Sequence, residues 1–124
     1  MSDRHETGRL GEELTAYYLE RSGYRILRRN FRVKGGEIDI IAANDEYIAF
    51  VEVRTRDISA WESGAMSVRQ RKRSLVVRTA NTYLVRYPIE LQPRFDIAQV
   101  TVKDGKPVKF EYTDNAFGAD SALI

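Results

Sequence analysis

Residues 36–54 read GEIDIIAANDEYIAFVEVR and predict a β-hairpin. Two runs that are rich in β-branched and aromatic side chains flank the polar triplet of Asn44, Asp45 and Glu46. Such runs are typical of strands, and a short polar segment between them is typical of a tight turn. We therefore expect the turn to be centred between Asp45 and Glu46.

This turn position predicts which residues face each other across the hairpin. Asp39 would lie opposite Glu52, and Glu37 would lie opposite Arg54. Because side chains alternate along a strand, these four residues would share one face of the hairpin. The other face would carry four aliphatic residues, namely Ile38, Ile40, Val51 and Val53.

Two carboxylates that face each other in an apolar hairpin need a compensating charge. Like charges directly across a sheet are destabilising, and a buried charge without a partner is costly. Asp39 and Glu52 could hold a divalent cation, or they could form a buried salt-bridge cluster with Arg54 and neighbouring cations. Oxygen ligands without Cys or His favour Mg²⁺ or Mn²⁺ over zinc. Spacing alone leaves both alternatives open.

Helices and strands are predicted on both sides of the hairpin. Apolar spacing predicts helices over residues 9–22 and 68–87. Strand-like runs cover residues 24–29, 94–102 and 108–112. The resulting order, α-β-β-β-α-β with a further β-strand, is typical of an α/β protein in which helices flank a mixed β-sheet.

Length and composition limit the architecture and the chemistry. The 124 residues fit one domain, with a core over about residues 8–112 and a loosely held tail over residues 113–124. The sequence has no cysteine and one histidine, which excludes thiol catalysis, disulfide frameworks and nearly all zinc sites. No apolar run approaches the length of a membrane span, and the polar N-terminus shows no secretion signal. We therefore expect a cytoplasmic protein without a membrane partner.

The formal net charge of +2 conceals an uneven distribution. Residues 1–35 and 66–90 are basic, whereas residues 36–65 are acidic. Basic segments that bind a polyanion around metal-holding carboxylates would give this pattern, and so would ordinary solvated faces.

Several motifs resemble those of known nucleases. Glu37-Ile-Asp39, followed by Val51-Glu-Val-Arg54, resembles the D…ExK signature of the restriction-endonuclease-like superfamily. The whole set, spread over residues 8–102, resembles the YraN-type family of small bacterial proteins, whose layout is similar to archaeal Holliday junction resolvases and to transfer-RNA-endonuclease-like folds. The further motifs are Gly8-Arg-Leu-Gly-Glu12, Gly23-Tyr24 with Asn30, Gly36-Glu-Ile-Asp-Ile-Ile41, Phe50-Val-Glu-Val-Arg-Thr-Arg56, Lys72 and Arg94-Phe-Asp96.

This resemblance implies a restriction-endonuclease-like fold and a metal-dependent endonuclease. It places Asp39 and Glu52 on the metal-binding, catalytic acids. It places Glu12 on the extra acid that resolvase-like members contribute to the metal site. The implied cofactor is Mg²⁺ or Mn²⁺, and the implied substrate is structured or branched DNA in preference to RNA. A homodimer would suit a symmetric substrate of this kind.

Arg54 departs from the superfamily pattern, which has lysine at this position. The lysine is usually assigned to orient or activate the attacking water. Arginine stays protonated and cannot act as a base, although it can stabilise negative charge that develops on a phosphate. Arg54 is therefore a catalytic candidate in that role, and Lys34 and Lys72 are candidates to replace the lysine.

The start of the second predicted helix is strongly basic, and we expect it to contact phosphates beside the candidate site. The candidate nucleic-acid-binding residues are Arg69, Gln70, Arg71, Lys72, Arg73, Lys34 and Arg56.

Three functional hypotheses follow from the sequence. The favoured one is a metal-dependent endonuclease that hydrolyses phosphodiester bonds of structured or branched DNA. The alternative is a nucleic-acid-binding module on the same fold that is catalytically silent because of Arg54. The third is an interaction protein in which the acidic hairpin is only a salt-bridged core.

Overall fold

The computed structural model describes residues 4–59 and 65–118, with side chains described for residues 8–59 and 72–118. The predicted order of helices and strands is confirmed. In chain order the elements are α1 (Arg4–Arg21), β1 (Arg25–Val33), β2 (Gly36–Ala43), β3 (Tyr47–Asp57), α2 (Ala65–Arg86), β4 (Gln92–Lys103) and β5 (Lys106–Phe117).

The five strands form one mixed sheet in the order β1-β2-β3-β4-β5. β3 and β4 are parallel, whereas the other neighbours are antiparallel. Parallel neighbours require a crossover connection, and α2 lies within the segment that joins β3 to β4. This is the arrangement expected for the predicted restriction-endonuclease-like fold.

Each face of the sheet is covered by one helix. On one face, Val77 and Tyr83 of α2 pack with Ile41, Phe50 and Phe95 of the sheet. On the other face, α1 covers a second apolar cluster, which includes Leu19, Ile40, Val51 and Ala98. The protein therefore has three layers, and β2 and β3 are buried between the helices.

The register of the β2–β3 hairpin is confirmed near its turn. Ile40 pairs with Val51, and Ala43 pairs with Ile48. The Asn44 side chain closes the turn, because its Oδ1 accepts hydrogen bonds from the backbone N–H groups of Glu46 and Tyr47.

The predicted alternation of side chains between the two faces of β2 is wrong on the N-terminal side of Ile40. Ile38 belongs to the α2-side cluster, whereas Ile40 belongs to the α1-side cluster, so the facing direction changes at Asp39. In β1, Asn30 lies between the partners of these two residues and has a left-handed backbone with φ of 52°. A left-handed residue interrupts the pleat, and both strands change face together at this point.

β5 extends further than the strand predicted from the sequence. It ends at Phe117, which is buried and stacks on Phe95 with 5.3 Å between the ring centroids. The ordered core therefore continues past residue 112, where the sequence places its end. Residues 119–124 of the predicted tail lie outside the described residues.

Neither helix of the described chain combines the length and the apolar character that crossing a membrane would require.

The closeness of α2 to β2 gives a first prediction. A Cβ on Gly36 would lie 2.0 Å from Oγ1 of Thr79, which donates a hydrogen bond to the Leu75 carbonyl oxygen within α2. We expect Gly36→Ala to lower the free energy of unfolding by about 1–3 kcal/mol, because either the Thr79 hydroxyl must leave its hydrogen bond to Leu75 or the helix must shift. Gly8→Ala is the control, since a Cβ there meets nothing within 4 Å. It should raise the same free energy by about 0.5–1 kcal/mol in urea titrations. Equal effects of both variants would contradict the described packing.

Candidate functional site

A small cavity of about 60 Å³ opens between β2, β3 and α2. Cavities of this size have room for more than one water molecule. It contains both carboxylates of the predicted pair and one lysine from α2. The lining residues are Glu37, Ile38, Asp39, Val51, Glu52, Lys72 and Val76.

Asp39 occupies the point at which β2 and β3 stop pairing through their backbones. The last backbone pair before the site joins Ile40 and Val51. Beyond it, Oδ2 of Asp39 accepts a hydrogen bond of 2.7 Å from the backbone N–H of Val53. The side chain thus takes the place of a strand partner, which aims the carboxylate between the strands.

The predicted pairing of Glu37 with Arg54 is wrong. Glu37 pairs with Arg32 of β1 in the register, and its Oε1 lies 3.4 Å from Arg32 Nε. The reason is that the backbone pairing of β2 with β3 ends at Ile40 and Val51, so Glu37, on the N-terminal side of Ile40, has no partner in β3. Asp39 and Glu52 line the same cavity, although they are not directly paired residues of the sheet.

Glu52 is the more deeply buried of the two acids, with 2% of its surface exposed. Arg54 Nη2 donates a hydrogen bond of 3.1 Å to Oε2 of Glu52. Lys72 Nζ forms an ion pair with Oε1 at 2.7 Å, but Oε1 accepts no well-aligned hydrogen bond in the described structure. A buried carboxylate oxygen in this state retains capacity to bind a cation.

Burial raises the pKa of Asp39 from 3.8 to about 6. The hydrogen bond from Val53 and the charge of Lys72 lower this pKa, whereas the charges of Glu12 and Glu37 raise it. The balance shows that nearby cations do not fully compensate the ionised form of Asp39. A further positive charge in the cavity would stabilise that form.

Glu12 lies near enough to Asp39 to influence its pKa, but it does not complete a three-carboxylate site. Within residues 4–59 and 65–118, no group of three acidic or histidine side chains is arranged to hold a metal ion. Asp39 and Glu52 therefore provide a two-carboxylate donor set. Mg²⁺ commonly binds to one or two protein carboxylates, with water and phosphate oxygens as its other ligands, so this donor set fits the ion.

The structure brings only some of the predicted nucleic-acid-binding residues to the cavity. Lys72 lines it, whereas Lys34 is exposed in the turn between β1 and β2. Arg56 is half-buried on β3, two residues beyond Arg54. Arg73 points elsewhere, because its guanidinium lies over the Phe117 ring at 5.4 Å from the centroid. Side chains lie outside the described residues for Arg69, Gln70 and Arg71.

Glu37 is the acidic residue of the cavity lining that the sequence did not assign to the site. The spacing of two residues between Glu37 and Asp39 could have indicated that both lie at the site. The predicted pairing with Arg54 instead assigned Glu37 to an ion pair. Lys72 was among the candidates, yet its direct ion pair with Glu52 depends on how α2 lies on the sheet. Three acids and one lysine thus meet at a cavity that also contains apolar side chains.

Comparison with known proteins identifies a family over most of the chain. The family model described as "Uncharacterised protein family UPF0102" matches residues 11–100. A UPF0102 protein from Alkaliphilus metalliredigens is 42% identical over 111 residues, which cover 89% of this chain and 96% of the relative. A UPF0102 protein from Dehalococcoides mccartyi is 37% identical over 119 residues, which cover 95% of this chain and 98% of the relative.

The raised pKa of Asp39 gives a second prediction. The folded protein binds the Asp39 proton more tightly than the unfolded chain does, so this contribution to stability is complete below pH 3.8 and is lost as the pH rises through about 6. Asp39→Asn keeps an acceptor for Val53 and removes the charge. We expect it to raise the free energy of unfolding at about pH 7.5 by up to about 3 kcal/mol, and to change little near pH 4.

The control for this prediction is Asp57→Asn. Asp57 is fully exposed, and hydrogen bonds from the hydroxyl and backbone N–H of Ser59 lower its pKa, so its ionised form is favoured in the folded protein. Its substitution should give no gain at neutral pH. Urea titrations over this pH range measure both variants. An effect of Asp39→Asn on the free energy of unfolding that does not change with pH would contradict the conclusion that burial raises the pKa of Asp39.

Proposed function

The chain belongs to the uncharacterised protein family UPF0102, and we propose that it is a metal-dependent endonuclease that hydrolyses phosphodiester bonds in structured or branched DNA. The observation that carries this proposal is the meeting of Asp39, Glu52 and Lys72 at one cavity. Two carboxylates and an ammonium group are suited to holding a divalent cation against a phosphate.

Asp39 and Glu52 are the proposed ligands for Mg²⁺ or Mn²⁺. When bound, the ion would act as a Lewis acid towards a phosphate oxygen. It would also lower the pKa of a water molecule, which makes a hydroxide nucleophile accessible at neutral pH. Asp39 is held by the hydrogen bond that its Oδ2 accepts from Val53, and its other oxygen, Oδ1, is the proposed contact for the ion. Glu52 is held by Arg54, which leaves Oε1 on the side of Lys72. Glu12 is proposed to support this site, because its charge acts on Asp39.

Lys72 is proposed to take the part that lysine plays in the D…ExK signature. Its side chain is half-exposed, yet Nζ lies 2.7 Å from Glu52 Oε1, so Lys72 is proposed to contact both the acid and an arriving phosphate. Arg54 is a poorer choice, because its side chain is only 18% exposed and already donates to Glu52. Arg54 is therefore proposed to orient the Glu52 carboxylate, and Lys72 to orient the attacking water or to stabilise the phosphate charge.

The basic segment over residues 66–90 supports a polyanionic substrate. Lys72 and Arg78 project from the described part of α2 into solvent. Lys34 and Arg56 are proposed to extend this surface, together with Arg69, Gln70 and Arg71. The resemblance to Holliday junction resolvases favours branched DNA, because recognition of such a substrate depends on shape and backbone charge.

One observation favours a second candidate function, a nucleic-acid-binding module without catalysis. Both oxygens of Glu52 already contact a cation, since Lys72 lies at Oε1 and Arg54 at Oε2. A carboxylate that is neutralised in this way can be purely structural. Binding of nucleic acid without metal, together with an absence of cleavage, would identify this function.

The proposed endonuclease is tested by cleavage of labelled DNA and RNA substrates in the presence of Mg²⁺ or Mn²⁺. The panel contains duplex, nicked, flap and four-way-junction DNA, and structured RNA. We expect the wild-type protein to cut junction DNA, and Glu52→Gln, purified in parallel, to show no cleavage. Glu46→Gln, an exposed turn residue, is the matched control and should keep full activity. Equal cutting by wild type and Glu52→Gln would indicate a contaminant, and no cutting by wild type would contradict the proposal.

The role of Lys72 is tested on the same substrate. Lys72→Ala removes the ammonium group from the cavity, and we expect kcat to fall by about a hundredfold or more. Arg78→Ala, on the same helix and outside the cavity lining, should alter kcat by much less. Single-turnover assays separate the chemical step from substrate binding. A larger loss in Arg54→Lys than in Lys72→Ala would assign the catalytic cation to Arg54 instead.

A further inference from the structure

We propose that a second cavity, at the end of the sheet where β3 and β4 begin, binds an unpaired guanine base from a free nucleotide or a nucleic acid. This Arg94 cavity measures about 460 Å³, which is within the usual range for sites that hold small organic ligands. Its lining residues are Tyr47, Gln92, Pro93, Arg94, Asp114 and Asn115. The inference does not depend on the proposed catalytic activity.

The Arg94 cavity is separate from the cavity that contains Glu52. Tyr47 begins β3 five residues before Glu52, which separates these two residues by about 17 Å along the strand. The two cavities also lie on opposite faces of the sheet. Arg94 donates to Tyr24, which packs on the α1-side cluster, whereas the cavity of Glu52 opens towards α2. A ligand in the Arg94 cavity would therefore not contact the two proposed metal ligands.

Arg94 is a fixed hydrogen-bond donor in this cavity. Only 9% of the residue is exposed, and its Nε and Nη2 donate to the carboxylate oxygens of Asp96 at 2.8–3.2 Å. Nη2 also donates to the hydroxyl of Tyr24 at 2.7 Å. The guanidinium lies over the rings of Tyr24 and Tyr47, at 5.4 Å and 4.8 Å from their centroids. These contacts hold the group in place before a ligand arrives, which lowers the entropic cost of binding.

Nη1 of Arg94 is the nitrogen that remains for a ligand. Within residues 8–59 and 72–118 it donates no hydrogen bond, and it is not enclosed by protein atoms. The charge of Arg94 is already balanced by Asp96, which is fully buried, and Asp114 adds a carboxylate to the cavity lining. A lining with this charge balance does not favour an anion. It favours a neutral group that has an acceptor for Arg94 and donors for Asp114.

Guanine is the base whose hydrogen-bonding edge fits this pair. Its O6 atom is an acceptor for Nη1 of Arg94, and its neighbouring N1–H and N2–H groups are donors that the carboxylate of Asp114 can accept together. Adenine, cytosine and uracil have no such adjacent pair of donors beside an acceptor. Tyr47 and Pro93 add apolar ring surfaces to the lining, against which a base can pack.

The irregular pairing of β4 with β5 brings Asp114 to the cavity. β5 contributes three residues, 114–116, opposite the single residue Asp96 of β4. Asn115 has a left-handed backbone with φ of 50°, and its N–H donates to Oδ1 of Asp96 at 2.9 Å. Bulges of this kind often redirect a side chain next to a functional site. The residue that fixes Arg94 thus also fixes the segment that carries Asp114.

The first test is calorimetric titration of nucleoside monophosphates into the 124-residue protein. Inosine monophosphate (IMP) is the matched probe for guanosine monophosphate (GMP), because hypoxanthine keeps O6 and N1–H but lacks the N2 amino group. We expect GMP to bind at least about tenfold more tightly than IMP, because one hydrogen bond to Asp114 is lost. Adenosine and uridine monophosphates and inorganic phosphate should bind more weakly still. Equal binding of GMP and inorganic phosphate would overturn the proposal.

Asp114→Asn tests the assigned carboxylate. Asp114 is exposed, and the substitution replaces one acceptor oxygen with an amide group. It should lower the affinity for GMP at least about tenfold and remove the difference between GMP and IMP. Asp104→Asn is the matched control, since this exposed residue lies in the turn between β4 and β5, outside the cavity lining. It should leave GMP binding unchanged.

Single-stranded oligonucleotides distinguish the two sources of the base. Each contains one guanine or one inosine at the same position among thymines, and binding is measured by fluorescence anisotropy in EDTA, which prevents metal-dependent cleavage. A preference for guanine that Asp114→Asn removes would assign the cavity to nucleic acid, whereas a preference confined to GMP would assign it to a free nucleotide. Circular dichroism establishes that each variant is folded. The absence of a guanine preference in both assays, or a preference that Asp114→Asn leaves unchanged, would overturn the proposal.

Discussion

The hydrogen bond from the backbone N–H of Val53 to Oδ2 of Asp39 is the interaction on which the candidate site depends. Backbone pairing between β2 and β3 ends one step before it, at Ile40 and Val51. The cavity that contains Asp39 and Glu52 lies where this backbone pairing has ended. Because a side chain takes over as the acceptor, the strands separate while the Val53 N–H stays satisfied. The same contact fixes the direction of the carboxylate that we propose as a metal ligand.

The two acids of the site differ in how well the fold accommodates their charge. Burial raises the pKa of Asp39 to about 6, although Lys72 and Val53 act in the opposite direction. Glu52, in contrast, is contacted by cations at both oxygens. A packed core would gain stability if Asp39 were neutral, and local instability of this kind is typical of functional sites. This asymmetry leaves Asp39 as the acid whose charge the neighbouring cations compensate least, which is why we propose it as a ligand for a metal ion.

The order of the elements and the hairpin register were readable from the sequence because each depends on local signals. The Asn44 turn and the flanking apolar runs determine which residues pair near the turn. The change of face at Asp39 was not readable, because it depends on a left-handed Asn30 in a different strand. The ion pair of Lys72 with Glu52 depends on the packing of α2 against β2, and the spacing of residues along either element does not predict that packing. The family resemblance singled out Asp39 and Glu52, which line one cavity in the fold, but only the fold could distinguish the surroundings of Lys72 from those of Arg54.

The most direct test of the central claim is calorimetric titration of Mn²⁺ into the protein without nucleic acid, repeated in buffers of different ionisation enthalpy. Because Asp39 has a pKa of about 6, ion binding at that pH should release about half a proton from this residue, and the release should largely vanish near pH 8. Asp39→Asn should abolish both the binding and the proton release. An absence of binding at pH 8, or binding that Asp39→Asn leaves unchanged, would contradict the account.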